Sequence, residues 1–216
     1  NPALWNGQLE LGGGTSKGNT EEQGISIGLS FKRIFAEKWE HDLDSNFDYA
    51  KSQGLVTKRK IVGEYKLLWK PWGHFYTMNF LQAEADKFSG YKYRITENIG
   101  IGYEIINKRN MLWRIEGGPG VRFTKFYISE VSETELLARV SNTFEMDLWK
   151  NLKITNNTTV VYTNASTTFD NKAQLSARIN AHLAAKLTFG IKHDTGAPLG
   201  KEKTDTVSRA TIVYDF

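Results

Sequence analysis

Apolar and polar residues alternate along most of this chain. Trp39, His41, Leu43, Ser45, Phe47 and Tyr49 share one face of an extended segment, and Glu40, Asp42, Asp44, Asn46 and Asp48 share the other. The next stretch repeats this, with Ile61, Gly63, Tyr65, Leu67 and Trp69 set against Lys60, Val62, Glu64 and Lys66. The same period returns in Ile25–Phe31, Met111–Ile115, Leu136–Val140, Leu175–Ala181, Leu187–Ile191 and Ala210–Phe216. Successive side chains of a strand point to opposite faces, so a period of two predicts β-strands, and few windows support a helix. Twelve strands are expected, near 5–15, 20–33, 39–51, 58–69, 74–86, 93–104, 111–124, 135–148, 152–162, 171–182, 186–194 and 205–216. Strands of this length can cross a bilayer, which takes about 9–11 residues with a tilt, whereas sandwich strands run nearer five or six.

The connections predict two different rims. Short ones fall around Phe35–Lys38, Lys70–Gly73, Asn107–Asn110, Trp149–Asn151 and Leu183–Ala185. Longer ones fall around Ser52–Thr57, Lys87–Lys92, Lys125–Thr134, Thr163–Asp170 and Thr195–Thr204; Ser16–Asn19 is short for its side. Short turns on one side and long loops on the other are the outer-membrane barrel pattern, and an even strand number puts both termini on the short-turn, periplasmic side. All six Trp then fall on that rim: Trp5, Trp39 and Trp113 begin strands there, Trp69 and Trp149 end strands there, and Trp72 sits in a turn. Indole prefers the lipid–water boundary because its ring is apolar while its N–H stays wet. Phe47, Tyr49, Tyr93, Phe123 and Tyr162 form a second aromatic set at the opposite rim.

Alternation alone does not decide which face is inside. A soluble lipocalin-like barrel has the same period with an apolar interior. Strand count, strand length, loop asymmetry and Trp placement favour the inverted arrangement. The reading is therefore an all-β, single twelve-stranded antiparallel up-and-down transmembrane β-barrel spanning residues 1–216, with a charged lumen and an apolar exterior. Assigned inward are Lys32, Glu40, Asp42, Asp44, Asp48, Lys60, Glu64, Lys66, Glu84, Asp86, Arg94, Arg114, Glu116, Arg122, Arg139, Glu145, Lys172, Arg178, His182, Lys186, Lys192 and Arg209. A Lys or Arg facing lipid at the midplane would cost about 2–4 kcal/mol. Acids concentrate in the third to fifth strands and bases in the tenth to twelfth, so opposed walls and a transverse field are expected, as in aqueous channels. An occluded, ion-paired core is the alternative.

Composition narrows the chemistry. The chain has no Cys, which excludes disulfides, thiolate catalysis and Cys-held metals. Its 28 basic and 24 acidic residues leave a net charge of +4, too mild to argue for nucleic acid. No apolar run approaches the length of a transmembrane helix. No charged-then-apolar leader begins at Asn1, so any signal peptide is expected to have been removed. The Gly12–Asn19 run opens a strand rather than a helix, which argues for a hairpin and against a phosphate cradle. His41 and Ser45 share the outward face but lie about 13 Å apart along a strand, too far for a nucleophile and its base. Asn156-Asn157-Thr158-Thr159 contains glycosylation sequons inside a strand, read as chance. Aromatic residues Phe88, Tyr91 and Tyr93 of the 86–94 hairpin read as packing rather than ligand binding. No catalytic residue, cofactor or metal site is expected.

Four stretches carry a family resemblance: Gly12-Gly13-Gly14-Thr15-Ser16-Lys17-Gly18-Asn19-Thr20, Asp86-Lys87-Phe88-Ser89-Gly90-Tyr91-Lys92-Tyr93-Arg94, Gly100-Ile101-Gly102-Tyr103 and Glu116-Gly117-Gly118-Pro119-Gly120. In order and spacing the chain resembles the YdiY-like salt-induced outer-membrane proteins, domain of unknown function 481, with Lys87 where Arg is expected. The resemblance implies a small outer-membrane barrel and no mechanism. Tyr214 and Phe216, ending an alternating strand, resemble the signal read by the barrel-assembly machinery.

The expected function is a narrow, charge-lined passive channel or structural barrel of the Gram-negative outer membrane. The alternatives are a scaffold binding through its loops or barrel wall and, less favoured, a lipid-active enzyme. Expected partners are outer-membrane lipid, the assembly machinery during biogenesis, and small ions or solutes; no nucleic acid is expected, and no protein partner can be named.

Overall fold

The computed structural model describes residues 4–17, 21–88, 90–127, 131–196 and 202–216. Among these the chain forms twelve strands and no helix: β1 (Leu4–Lys17), β2 (Glu22–Phe35), β3 (Trp39–Ser52), β4 (Leu55–Trp72), β5 (Phe75–Asp86), β6 (Tyr91–Lys108), β7 (Met111–Phe126), β8 (Ser132–Trp149), β9 (Leu152–Thr163), β10 (Thr167–Arg178), β11 (Leu183–Asp194) and β12 (Thr204–Asp215). Each strand pairs antiparallel with its sequence neighbours, and β1 pairs with β12, so the sheet closes into an up-and-down barrel. Closure leaves no unpaired edge. Phe216 fastens the seam: it exchanges backbone hydrogen bonds with Gly7 at 2.9 and 3.0 Å, and its ring meets Phe31 edge-on at 5.9 Å.

Several connections are tighter than the sequence predicts. The loop expected over Ser52–Thr57 is a two-residue turn, Gln53–Gly54, with both φ positive (49° and 81°). Thr163–Asp170 shrinks because the Thr163 hydroxyl accepts from the N–H groups of Ala165 and Ser166 at 3.2 and 3.1 Å, holding a three-residue turn. The loop asymmetry is correspondingly milder. The tenth strand is displaced by four residues, to 167–178, because Asn180 Oδ1 accepts from the N–H groups of His182 and Leu183 and builds the turn there. His182 therefore lies in a turn at the rim and not in the lumen. Residues 18–20, Ser89, 128–130 and 197–201 of the motifs and loops singled out above lie outside the described residues.

The exterior carries the exposed apolar side chains, among them Ile25, Leu29, Ile61, Ile101 and Leu136. The buried groups are mixed and lie inside: Leu68, Tyr76, Met78 and Phe80 form an apolar cluster beside Glu40, Glu104, Arg114 and Glu116. The apolar-out, charge-in assignment thus describes the barrel, with one departure. The inner face of β5 is apolar over its first half, where Tyr76, Met78 and Phe80 fill part of the lumen before Gln82 and Glu84 resume the polar pattern.

The glycine motifs of β6 and β7 are explained by close backbone approach. A Cβ on Gly100 would strike the Gly117 carbonyl, and one on Gly118 would strike that of Ile99. The ladder steps from Asn98↔Gly120 to Ile101↔Gly117 around Pro119, which has no N–H to offer. Asn98 fills the gap by donating to the carbonyls of Gly118 (2.8 Å) and Pro119 (2.6 Å).

Candidate functional site

Among the described residues, charged groups from many strands converge in the lumen. Two carboxylates organise it. Glu40 on β3 receives Lys32 (2.5 Å) from β2, Lys70 (2.9 Å) from β4 and Arg114 (3.5 Å) from β7. β3 and β7 are four strands apart, so roughly 19 Å of wall separates the two backbones at about 4.8 Å per strand. The Glu40–Arg114 contact therefore crosses the interior. Lys70 also reaches Glu104 at 2.7 Å, and Lys32 reaches Asp42 at 3.6 Å.

Glu116 on β7 is the second hub. It pairs with Lys66 of β4, lies 3.7 Å from Arg139 of β8, and accepts the Tyr76 hydroxyl at 2.9 Å. Arg139 also lies over the Phe80 ring at 4.4 Å, a cation–π geometry. Only 1% of the Glu116 side chain is exposed. Buried charges persist when paired and hydrogen-bonded; Glu116 has both, whereas Arg139 Nη1 and Arg114 Nε are buried without a hydrogen-bond partner among the described residues.

Nearer the opposite rim Lys60 and Arg94 meet Glu84 at 2.9 and 3.4 Å, and the Tyr91 hydroxyl donates to the same carboxylate at 3.0 Å. Arg209 on β12 reaches Asp48 on β3 at 2.8 Å and Ser26 at 3.0 Å, spanning the seam region. Lys186 pairs with Glu10.

The other predicted lumen charges do not join this network. Glu64 accepts from Gln82 at 2.6 Å. Arg122 reaches Thr96 at 3.5 Å, and Asp44 hydrogen-bonds Ser30. Arg178 sits at the rim, 3.7 Å from Asp215. Lys192 on β11 has Lys60, Glu84 and Arg94 within electrostatic reach from the far wall.

The register adds acids among the bases of the β10–β12 wall. Asp170 and Asp205 flank Lys192 on its two neighbouring strands, and Asp215 accompanies Arg178. Lys60, Lys66 and Lys70 of β4 likewise stand beside the acids of β3. Each wall thus holds counter-charges on neighbouring strands, while Lys172, Arg178, Lys186, Lys192 and Arg209 still outnumber the acids of β10–β12.

The filling is one-sided. The buried hubs come from β3–β8, whereas the lumen face of β9–β11 presents Asn157, Thr159, Lys172, Gln174 and Lys192, none of them buried. Sequence reasoning missed Glu10, Lys70, Tyr76, Phe80 and Glu104. Lys70 was placed in a turn and Glu104 at a strand end, where the strands in fact continue to Trp72 and Lys108. The first half of β5 puts apolar residues on both faces, so alternation gave no signal for Tyr76 and Phe80.

All six Trp lie at one rim, with Trp39–Trp69 stacked at 5.8 Å, Trp69–Trp72 at 6.2 Å and Arg33 over Trp5 at 5.1 Å. Tyr93 and Phe123 meet at 6.1 Å toward the other end. His41 Nδ1 lies 2.8 Å from the Tyr65 hydroxyl on the outer wall and is not joined to Ser45. The described residues contain no group of three or more His, Asp or Glu placed to hold a metal ion. The outer wall also carries polar groups. Trp113 donates to Asn142 at 2.7 Å, Asn171 donates to Thr158 at 2.7 Å and Asn156 at 3.2 Å, and Asn79 donates to Glu97 at 3.4 Å.

A family model described as protein of unknown function, DUF481, matches residues 9–216. A relative from Escherichia coli (strain K12), the uncharacterized protein YdiY, is 29% identical over 133 residues. That match covers 61% of this chain and 52% of the relative, so it spans about half of the relative's length. Among solved structures the chain resembles the NanC porin (TM-score 0.66, 11% identity, 95% of this chain and 98% of that one). It also resembles the KdgM porin (0.56, 10%, 97% and 99%) and an outer membrane channel from Pseudomonas putida F1 (0.56, 8%, 99% and 96%). At these identities the likeness establishes the fold, that of outer-membrane porin-type barrels.

Proposed function

The chain belongs to the DUF481 family of proteins of unknown function, and on that premise we propose that it is a small Gram-negative outer-membrane β-barrel acting as a narrow, charge-lined passive channel without a catalytic step. The start of β1, the end of β12 and the Trp rim then face the periplasm. The observation that carries this reading is the one-sided lumen. The Glu40 and Glu116 networks pack the β3–β8 side, while Asn157, Thr159, Lys172 and Lys192, none of them closed off from the lumen space, line the rest. Such an off-centre path suits ions and small solutes and excludes bulky ones. The porin-type fold, a wall of exposed Ile and Leu, and indoles gathered at one rim support the membrane setting.

The test is conductance in planar lipid bilayers. Purified protein should give small, salt-dependent steps. Asp42→Lys with Asp44→Lys should shift the reversal potential in a salt gradient toward anions. Silence at every voltage, with the protein inserted, counts against a channel.

A further inference from the structure

Between the two aromatic rims, the outer wall of β5 and β6 carries a carboxylate that the membrane reading leaves in hydrocarbon. Glu97 points outward and is exposed, in line with Ile95 (41%), Ile99 (57%) and, on the next strand, Val121 (37%). Tyr93 stands four residues toward one rim and Tyr103 six toward the other, about 13 and 20 Å along the strand. Among the described residues no Lys or Arg pairs with Glu97. It accepts a hydrogen bond from the side chain of Asn79 at 3.4 Å, which also faces outward. An ionisable group at such depth marks a site rather than a bland surface. One long hydrogen bond leaves most acceptor positions of Glu97, one N–H of Asn79 and the Asn79 carbonyl unused.

We propose that the Asn79–Glu97 face of β5–β6 is a docking surface for a second copy of this chain, in which each Asn79 donates to the Glu97 of the other. Asn79 stands opposite Ile99 and Leu81 opposite Glu97, so donor and acceptor occupy diagonal corners of a four-residue patch. With a two-fold axis along the membrane normal passing between them in the contact plane, each Asn79 is set opposite the Glu97 of the other copy, which is the self-complementarity an isologous interface requires. Acyl chains at this depth offer no donor. A different protein would have to bring its own donor or cation, whereas a second copy already holds the matching one. Relief beside the patch is low: Gly63 and Ala83 are paired neighbours on the outer wall, and a Cβ at Gly63 would meet open space. Two barrels can therefore approach closely. The proposal rests on the membrane setting given above, and its test keeps the two separable.

The absence of Cys makes engineered cross-linking clean. Ile99→Cys lies beside the axis, and Leu187→Cys lies on the far wall. Oxidation in intact membranes should yield at least several-fold more covalent dimer from Ile99→Cys. The excess should vanish in an Asn79→Leu/Glu97→Leu background and persist in the swapped Asn79→Glu/Glu97→Asn background, because exchange preserves the pairing. Heat-modifiable migration verifies that each variant is a folded barrel. Equal cross-linking at both sites, a dimer that survives the double Leu change, or loss of the dimer in a folded swap variant overturns the proposal. A protein found in membranes but monomeric overturns the dimer alone, whereas failure to fractionate with membranes overturns the setting as well.

Discussion

Tyr76 reaches Glu116 by passing over Gly102. The three are direct neighbours on β5, β6 and β7, and the hydroxyl donates to the carboxylate at 2.9 Å. A Cβ on Gly102 would overlap the phenol ring, so the glycine is what lets a β5 side chain address a β7 charge. Overpacking of this kind costs about 1–3 kcal/mol. Gly102→Ala should lower stability by that amount in urea titrations of lipid-refolded protein. Tyr76→Leu should cancel most of the added cost, because the clash goes with the ring. Additive losses would place the glycine's role elsewhere.

Glu116 is the acceptor on which Lys66, Arg139 and Tyr76 converge. Removing one partner of a buried ion pair costs about 3–5 kcal/mol, whereas replacing the pair by apolar groups is often neutral. Glu116→Ala should therefore destabilise the barrel strongly. Glu116→Leu combined with Lys66→Met should cost less than the single change, measured by the same unfolding midpoint.

Phe80 lies under Arg139 and belongs to the apolar cluster that narrows the lumen. Phe80→Ala should raise single-channel conductance by removing the ring and freeing the guanidinium to move. It should also reduce stability by about 3–5 kcal/mol, the usual range for a buried Phe. Unchanged conductance in a folded variant would mean that the path lies wholly on the β9–β12 side.

The β2–β3 turn places Ala36 and Glu37 at φ of 50° and 57°. Both positions suit Asn-Gly, the pair preferred where two successive residues need positive φ. Ala36→Asn with Glu37→Gly should raise stability by about 1–2 kcal/mol, since left-handed non-glycine residues carry strain of that order. No change in the unfolding midpoint would show that the turn carries none.

How much of this was legible from the sequence varied from place to place. Along β3 and β4, Trp39 to Tyr49 and Ile61 to Trp69 alternate so strictly that strand, wall and lumen face could all be assigned. In β5, Phe75, Tyr76, Met78, Phe80 and Leu81 put apolar groups on both faces, and the inward aromatic cluster stayed hidden. The turns on either side of β10 were misjudged because Thr163 and Asn180 end strands through side-chain bonds to the backbone, which compete with the ladder without altering hydrophobic period. Glu97 and Asn79 broke the wall's pattern as single residues, too few to register as a departure.

The sequence by itself determined the strand number, the alternation of wall and lumen, and the gathering of indoles at one rim, because these depend on backbone period and turn spacing, which are local. Only the tertiary structure decided that Glu40 meets Arg114, that Tyr76 crosses Gly102 to Glu116, and that one side of the lumen is filled. Those contacts join strands two to four positions apart around a closed ring. They are set by closure and relative strand register, which no single segment encodes.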